Sequence, residues 1–458
     1  MTAPIGPLRL RLLLVTLALL TTVTAVVSSL GAPLVPALAR DLDVPLEDAQ
    51  WALTATLLAG VVSTPVLGRL GSGPRRRPVV LGGLAVVTLG CVLAALAPSL
   101  ATLVAARALQ GVGLALVPLG MAVARDVVPA RRLGGVVAIL SVTTVAGAGL
   151  GYPLTSMVAG AWGLDAAFWL GAALTGTTLA LAAALVPADT SRPAARVDWV
   201  GVLLAAAGLL GVLLAVSRGE VWGWSSGLTL VPAGLGLALL AAFVRRALRV
   251  AHPLVDLRLA VRPGLAAPNL VAVVAGVGMY AMLTLAVVLV QSGTPGPGWG
   301  LGRSVAVAGW VLVPYSLLSV AGSRVAQLLA RRLGTAVLLP SGCLVFLVAT
   351  LLLAFRHDTL TDVLVAMGVG GLGSGLTFSS LATLMVPHLP AGETGSALAF
   401  NQVLRTLGFT VGSALSVTLM HLLGGVGDTG FRGALLVMAV IWLLAALAAW
   451  RLDRRAPA

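Results

Sequence analysis

Lysine is absent from this chain, and charged residues of any kind are scarce. The chain has 458 residues, of which only 10% are charged and 59% are hydrophobic. A soluble globular protein carries about 25% charged residues, and a single soluble core stops growing near ~250–300 residues. This much apolar surface therefore cannot be hidden from water. A soluble enzyme, a nucleic-acid-binding protein and a disordered protein are excluded, and a lipid bilayer is the expected solvent.

The same scarcity excludes particular chemistries. A phosphate-binding G-x-x-x-x-G-K-[ST] loop cannot exist without Lys, so the chain alone cannot drive transport with ATP. The two cysteines, Cys91 and Cys343, lie inside apolar runs and are typical of buried core residues. The four histidines lie near predicted helix ends, without metal-ligand spacing. We expect no metal, no cofactor and no enzymatic activity.

Long apolar runs fill the rest of the chain. A helix needs about 20 apolar residues to cross the hydrocarbon layer, and the period-2 alternation of a membrane barrel is absent. The sequence therefore predicts an all-α integral membrane protein. The fourteen predicted transmembrane helices lie at 12–38, 48–70, 78–98, 101–125, 133–160, 165–187, 198–217, 227–247, 265–291, 303–325, 334–355, 361–386, 396–422 and 431–451.

Arginine is distributed unevenly between the predicted loops. With the N-terminus in the cytoplasm, 21 of the 29 arginines fall in inner segments and 5 in outer ones. Cytoplasmic loops carry such an excess of basic residues. Short Arg clusters beside apolar runs suit anionic lipid headgroups rather than nucleic acid. We expect a multi-pass protein of the cell membrane, in contact with lipids, with both termini cytoplasmic.

Similar segments recur about 260 residues apart. Gly147 and Gly151 match Gly408 and Gly412 at an offset of 261 residues, and basic turns recur near Arg69 and Arg331. The alternative is that Gly-rich membrane helices simply look alike. Internal repeats are typical of secondary transporters. The repeat predicts three parts: a six-helix bundle at 1–187, a two-helix insert with a cytoplasmic linker at 188–262, and a second six-helix bundle at 263–458.

Three motifs resemble those of a known family. They are Arg107-Ala-Leu-Gln-Gly-Val-Gly113, Gly147-Ala-Gly-Leu-Gly-Tyr-Pro153 and the basic turn Gly68-Arg-Leu-Gly-Ser-Gly-Pro-Arg-Arg-Arg77. They resemble the major facilitator superfamily, and within it the fourteen-helix drug:proton antiporters. Segments 198–201, 221–224 and 252–256 are similar to that group as well.

The chain departs from the family pattern at two acids. Ser72 stands where the basic turn of the family has Asp, and Val27 stands where its first helix has Asp. All fifteen acidic residues lie in loops or near helix ends. Two alternatives for proton coupling therefore remain. Either an acid outside the spans accepts the proton, or transport is not coupled to protons. The candidate proton acceptors are Asp41, Glu47 and Asp48 in the first outer loop, for which a merely solvated acidic loop is the alternative.

Polar residues inside the spans are the candidates for a substrate cavity. A charge at the bilayer centre costs roughly 2.5–3.5 kcal/mol, so Arg107 is expected to face a wet cavity or a partner, or else to reach the outer headgroups. Arg405, near mid-membrane, lines the cavity or bonds to neighbouring carbonyls. The other cavity candidates are Gln110, Gly111, Ser28, Ser29, Tyr280, Trp310, Tyr315, Asn401 and Gln402.

Two further groups are predicted to act in the conformational cycle. Gly147, Gly151, Tyr152 and Pro153 are expected to seal the interface between the bundles, or merely to pack tightly. The expected cytoplasmic gate loop consists of Gly68, Arg69, Arg75, Arg76 and Arg77. The predicted function is a monomeric secondary exporter of a small lipophilic molecule that works by alternating access, coupled to protons by resemblance. The alternatives are a proton-independent uniporter and a membrane-embedded enzyme.

Overall fold

In the computed structural model the regular secondary structure is helical, and no strand occurs among the residues that it describes. Those residues are 6–30, 34, 38, 41–44, 49, 51–71, 75–188, 198–251, 253–254, 257–262, 264–293, 299–389, 394–425 and 427–453. Glu47 and Asp48, two of the predicted proton acceptors, lie outside them, whereas Asp41 is described and exposed. The all-α fold expected from the sequence is confirmed.

Most helices are long, and glycines end several of them. The helices are α1 (Pro7–Ser29), α2 (Trp51–Leu70), α3 (Arg76–Ala95), α4 (Leu100–Gly111), α5 (Leu116–Val127), α6 (Ala130–Trp162), α7 (Leu164–Leu185), α8 (Trp199–Trp222), α9 (Gly227–Ala247), α10 (Leu257–Ala260), α11 (Ala266–Gln291), α12 (Val305–Trp310), α13 (Leu312–Leu333), α14 (Leu338–Phe355), α15 (Leu360–Met385), α16 (Thr394–Gly424) and α17 (Asp428–Asp453). Gly163 (φ 92°) and Gly334 (φ 84°) end α6 and α13. Both adopt the left-handed region that only Gly enters freely.

Thirteen of the predicted spans are found as helices long and apolar enough to cross a membrane, among the residues described. The remaining predicted span, 396–422, corresponds to α16, a helix of 31 residues that carries Asn401, Gln402 and Arg405. The chain is thus a multi-span membrane protein. The count of fourteen stays a prediction.

Some boundaries differ from those predicted. The span expected at 12–38 is α1, which ends at Ser29. The sequence after it contains Pro33 and Pro36, and proline disfavours a helical conformation in the residue that precedes it. The span expected at 101–125 is not a uniform α-helix, because a 3₁₀ segment (Val112–Ala115) separates α4 from α5.

The chain divides into two compact units. Unit 1 comprises Met1–Val212, Gly234–Arg258 and Leu389–Phe400, and unit 2 comprises Leu213–Ala233, Leu259–His388 and Asn401–Ala458. The three-part division at residues 187 and 262 stays a prediction.

In unit 1, α1 buries one stripe of side chains. Leu13, Leu17 and Leu20 have no exposed surface, whereas Leu8 and Val15 are 71% and 64% exposed. The buried residues recur every three or four positions, which is the period of one helix face. The other face is apolar too, as expected of a helix whose outer surface meets lipid.

In unit 2, small residues allow helices to approach closely. A Cβ added to Gly371 of α15 would lie 2.7 Å from the Cα of Tyr315 on α13. The indole of Trp442 on α17 stacks on Phe346 of α14 with ring centroids 4.3 Å apart. The hydrophobic effect does not drive membrane helices together, because lipid is as apolar as their side chains. Close backbone contacts and stacked aromatic rings stabilise their association instead.

Candidate functional site

The guanidinium of Arg107 is enclosed in unit 1. The side chain has no exposed surface. Its Nε donates to the carbonyl of Ala52 at 3.2 Å, Nη1 donates to Val27 O at 3.1 Å and to the Gln110 side chain, and Nη2 donates to Ser28 O at 3.3 Å. The carbonyls of Val27 and Ser28 end α1, where a helix presents partial negative charge. The structure therefore shows Arg107 bonded to backbone rather than extended to the membrane surface.

The neighbours of Arg107 complete this polar cluster. Gln110 is fully buried, and its amide donates to the carbonyl of Gly90 on α3 at 3.0 Å. A Cβ on Gly111 would lie 3.0 Å from the Cβ of Ala59 on α2, so Gly111 serves a close helix contact. The hydroxyl of Ser28 donates to Thr24 O at 2.8 Å. Four of the five predicted cavity residues of unit 1 are thus brought together, while the side chain of Ser29 lies outside what the structure describes.

Gly147 of the predicted seal packs on α1. A Cβ on Gly147 would lie 2.6 Å from the carbonyl oxygen of Thr22. Gly151 and Pro153 are buried, and α6 continues as a helix through Pro153. The side chain of Tyr152 is not among those described. Tight packing within unit 1 is therefore shown, and a sealing role stays a prediction.

Arg76 organises the predicted gate loop. It is 3% exposed, donates from Nε to Gly71 O at 3.0 Å, and forms an ion pair with Asp126 at the end of α5. The ion pair joins the beginning of α3 to the end of α5. Arg76 and Asp126 lie 50 positions apart in the sequence, so no local pattern could have predicted this ion pair.

The other gate residues differ in their surroundings. Arg69 is buried, Arg75 is exposed, and Arg77 donates from Nη2 to Ala183 O at 2.7 Å. Gly68 lies within α2, two residues before its end. Arg125 donates to Leu389 O at 2.6 Å and to the hydroxyl of Thr394.

Arg405 of unit 2 lies among aromatic rings. It is 9% exposed, and its guanidinium carbon lies 5.0 Å from the ring centroid of Phe378 and 6.0 Å from that of Phe409. Tyr280 stacks on Phe409 with centroids 4.5 Å apart. Nη2 donates to the Gln402 side chain, whereas Nε is buried and has no acceptor among the described residues. A buried guanidinium N–H that lacks a partner is costly, so this donor is available to a ligand.

The remaining candidates of unit 2 fall in different places. The amide of Asn401 donates to Pro268 O at 3.3 Å and to the side-chain oxygen of Asn269 at 3.0 Å, which ties α16 to α11. Tyr315 is 3% exposed, and its hydroxyl has no partner among the described residues. Trp310 is 53% exposed and does not join the buried polar group.

Sequence reasoning missed the rings beside Arg405. Phe378 and Ser374 are four residues apart on α15, hence on one face, and the Ser374 hydroxyl is buried without a partner in the described part of the chain. A phenylalanine in a membrane helix is ordinary, so neither its type nor its spacing could have pointed to the contact with Arg405.

A carboxylate joins the ends of α8 and α9 in unit 1. Asp198 accepts from the backbone N–H of Gly201 at 3.0 Å and from Nε of Arg246 at 2.9 and 3.0 Å. Burial raises the pKa of Asp198, but the hydrogen bonds from Arg246 and Gly201 outweigh it and hold that pKa below its ordinary value. The pair therefore favours the ionised carboxylate.

In the described part of the chain, thirteen helices are long and apolar enough to span a membrane, and they enclose polar clusters and close Gly contacts. This is the architecture of a polytopic membrane protein. The profile of the Major Facilitator Superfamily matches residues 17–296 and 269–458. The chain belongs to the Major Facilitator Superfamily, as the motifs suggested.

Relatives with described roles cover most of the chain. The cephamycin export protein CmcT of Amycolatopsis lactamdurans is 32% identical over 405 residues, 84% of this chain and 79% of that protein. A multidrug resistance protein B homolog of Mycobacterium tuberculosis is 28% identical over 378 residues, 81% of this chain and 68% of that protein. With two mycobacterial MFS-type transporters the match covers only 59% of the relative's length.

Among solved structures, the human organic anion transporter MFSD10 superimposes with a TM-score of 0.68 at 16% identity, over 97% of this chain and all of that one. The likeness shows the same fold.

Proposed function

We propose that this chain is a secondary exporter of a small lipophilic molecule, coupled to protons by antiport and working by alternating access. The proposal extends the superfamily assignment to the fourteen-helix drug:proton antiporters. The export and multidrug resistance roles of the relatives at 28–32% identity support it. We further propose a monomer in the cell membrane with both termini in the cytoplasm, and the three-part division at 187 and 262.

The surroundings of Arg405 are the observation that carries the substrate proposal. A buried guanidinium with an unused Nε–H, among those residues described, attracts a hydrogen-bond acceptor. The rings of Phe378, Phe409 and Tyr280 offer apolar and aromatic contacts beside it. Together they suit a neutral or anionic amphipathic molecule. A dication would find no carboxylate at this depth, since every acid of the sequence lies in a loop or near a helix end.

The experiment uses purified protein in proteoliposomes with a trapped pH-sensitive dye. Three aromatic probes that differ in charge are added in turn: the anion anilinonaphthalene sulfonate, neutral Nile red and the cation rhodamine 6G. We expect the anion to provoke a pH change, Arg405→Ala to reduce it about tenfold or more, and Arg451→Ala, an exposed control, to leave it unchanged. A reduction of tenfold corresponds to about 1.4 kcal/mol.

The other outcomes discriminate between functions. A pH change provoked only by the cation contradicts the role of Arg405. If a protonophore does not change the rate at which the dye equilibrates, the chain is a uniporter and not an antiporter. The lack of an acid in the middle of any span favours that alternative. No flux of any probe contradicts export of lipophilic molecules.

A further inference from the structure

A cavity of about 440 Å³ lies at one end of unit 2, between the end of α14 and the beginning of α17. The residues of its lining that matter below are Trp299, His357, Asp358, Asp428 and Arg432. The proposed topology places all of them on the outer face of the membrane. None belongs to the candidate substrate site.

The hydrogen bonds of His357 fix where its protons lie. The ring is buried, with 4% exposed surface. Nδ1 lies 3.0 Å from the carbonyl oxygen of Leu353. A carbonyl can only accept, so Nδ1 must carry hydrogen and donate it.

The other ring nitrogen faces an acid. Nε2 of His357 lies 2.8 Å from Oδ1 of Asp428. A neutral imidazole whose Nδ1 carries the hydrogen has only a lone pair at Nε2. Two acceptors do not hold each other at 2.8 Å, so one further proton must lie between them. A hydrogen bond at this distance therefore requires one further proton on the pair His357–Asp428.

Neighbouring charges place that proton on the histidine. Nε of Arg432 donates to the same Oδ1 of Asp428 at 2.9 Å, which favours the ionised carboxylate. The other titratable groups described at these helix ends are Asp358 and the pair Arg356–Asp362, whose Nε–Oδ1 distance is 3.7 Å. With His357 protonated, three positive and three negative groups balance.

The cavity gives water access to the pair. Nε1 of Trp299, which lines it, is buried without an acceptor among the described residues. Its ring lies 5.6 Å from that of Phe431, which also contacts the ring of His357 at 4.9 Å. The side chain of Asp428, which also lines the cavity, is 48% exposed and so meets water directly.

We propose that His357 and Asp428 form a proton-binding site that is loaded from the outer face through this cavity. A hydronium ion gives its proton to Nε2 of His357 and leaves as water, and the new N–H donates a hydrogen bond to Oδ1 of Asp428. On release the proton returns to water and the bond between the two residues is lost. His357 follows the end of α14, and Asp428 begins α17. Binding of the proton therefore favours contact between these two helix ends, and its release favours their separation. The coupling role rests on the proposed antiport.

The first test needs no transport. The full chain, with isotope-labelled histidine in lipid nanodiscs, is titrated by NMR from pH 5 to 9, and His357→Gln assigns the resonance. We expect Nδ1 of His357 to keep its hydrogen throughout, Nε2 to take up the second proton, and Asp428→Asn to weaken that uptake because the carboxylate that accepts the N–H is lost. His421→Gln, at an exposed histidine, is the control and should change nothing. A His357 ring that never takes up the second proton, or that ignores Asp428→Asn, overturns the site.

The second test addresses coupling. Proteoliposomes carrying an imposed pH gradient take up anilinonaphthalene sulfonate, and His357→Gln is expected to lose the stimulation by the gradient while His421→Gln keeps it. Stimulation that persists in His357→Gln overturns the coupling role. If the wild type shows no stimulation although Nε2 titrates, antiport is wrong and the proton site stands.

Discussion

Asp198 illustrates how one ionisable side chain links stability to pH. Its carboxylate bonds to Gly201 and Arg246, and its pKa in the folded protein lies below the ordinary value. The unfolded chain therefore binds a proton at a higher pH than the folded one does. Such a group contributes stability that is complete above its unfolded pKa and disappears as the pH falls through its folded pKa.

We expect Asp198→Asn to lower the melting temperature at pH 7, because Asn keeps the shape but loses the charged pair with Arg246. The gap to the wild type should narrow once the pH drops below about 3.9, the ordinary aspartate value. Thermal unfolding in detergent between pH 7 and pH 3 measures the gap, with Asp41→Asn at an exposed carboxyl as the control. An equal gap at both ends of that range would contradict the linkage.

The sequence predicted which charged residues lie inside the spans better than it predicted their hydrogen-bond partners. Depth in an apolar run singled out Arg107 and Arg405, since a charge in a span needs a reason. Apart from the Gln110 side chain, the acceptors of Arg107 are backbone carbonyls of α1 and α2. Every residue has a carbonyl, so no motif encodes that choice, and only the fold reveals it.

At the level of helices, two glycines of α6 have opposite surroundings. Gly147 meets the backbone of α1, and an added Cβ would lie 3.0 Å from the Cα of Thr22. At Gly135 of the same helix nothing lies within 4 Å of an added Cβ. Replacing glycine by alanine is therefore expected to have opposite effects on stability at these two positions.

Gly135→Ala is expected to stabilise the protein by about 0.5–1 kcal/mol, because alanine is the better helix former. Gly147→Ala is expected to destabilise it, because the methyl group forces α1 and α6 apart. Thermal unfolding of the two variants beside the wild type checks the signs. Stabilisation by both would show that the contact between α1 and α6 is looser than the structure has it.

Helix positions were largely predictable, and their details were not. Hydropathy located thirteen spans because the length of an apolar run reports directly on membrane crossing. It could not show that α13 extends to Leu333 through Arg331 and Arg332. Helical backbone outside the membrane core leaves no mark in hydropathy.

For the whole molecule, the arginine distribution makes the topology testable. Cys91 and Cys343 are both fully buried, so they leave the surface free for introduced thiols. Ser225 and Arg249 are exposed and lie in loops that the topology assigns to opposite faces.

A membrane-impermeant maleimide is expected to label Ser225→Cys on intact cells and Arg249→Cys only after permeabilisation. The reason is the excess of arginine in the inner loops. The unsubstituted chain, treated in the same way, sets the background from Cys91 and Cys343. Labelling of Arg249→Cys on intact cells would invert the proposed orientation.

Family membership was accessible from sequence at this scale because Arg107–Gly113 and Gly147–Pro153 are specific patterns spread over separate spans. The partition into units was less accessible. Apolar helices separated by short loops look alike in composition, and contacts rather than chain order decide which belong together.

The 3₁₀ segment between α4 and α5 alters how the rest of that span is oriented. A 3₁₀ residue turns through about 120° and rises about 2.0 Å, against about 100° and 1.5 Å in an α-helix. Over the four residues Val112–Ala115 this adds roughly 80° of rotation and about 2 Å of length. A helical wheel drawn from Arg107 therefore assigns Leu116–Val127 to the wrong side, and mutagenesis of that stretch should be planned from the backbone itself.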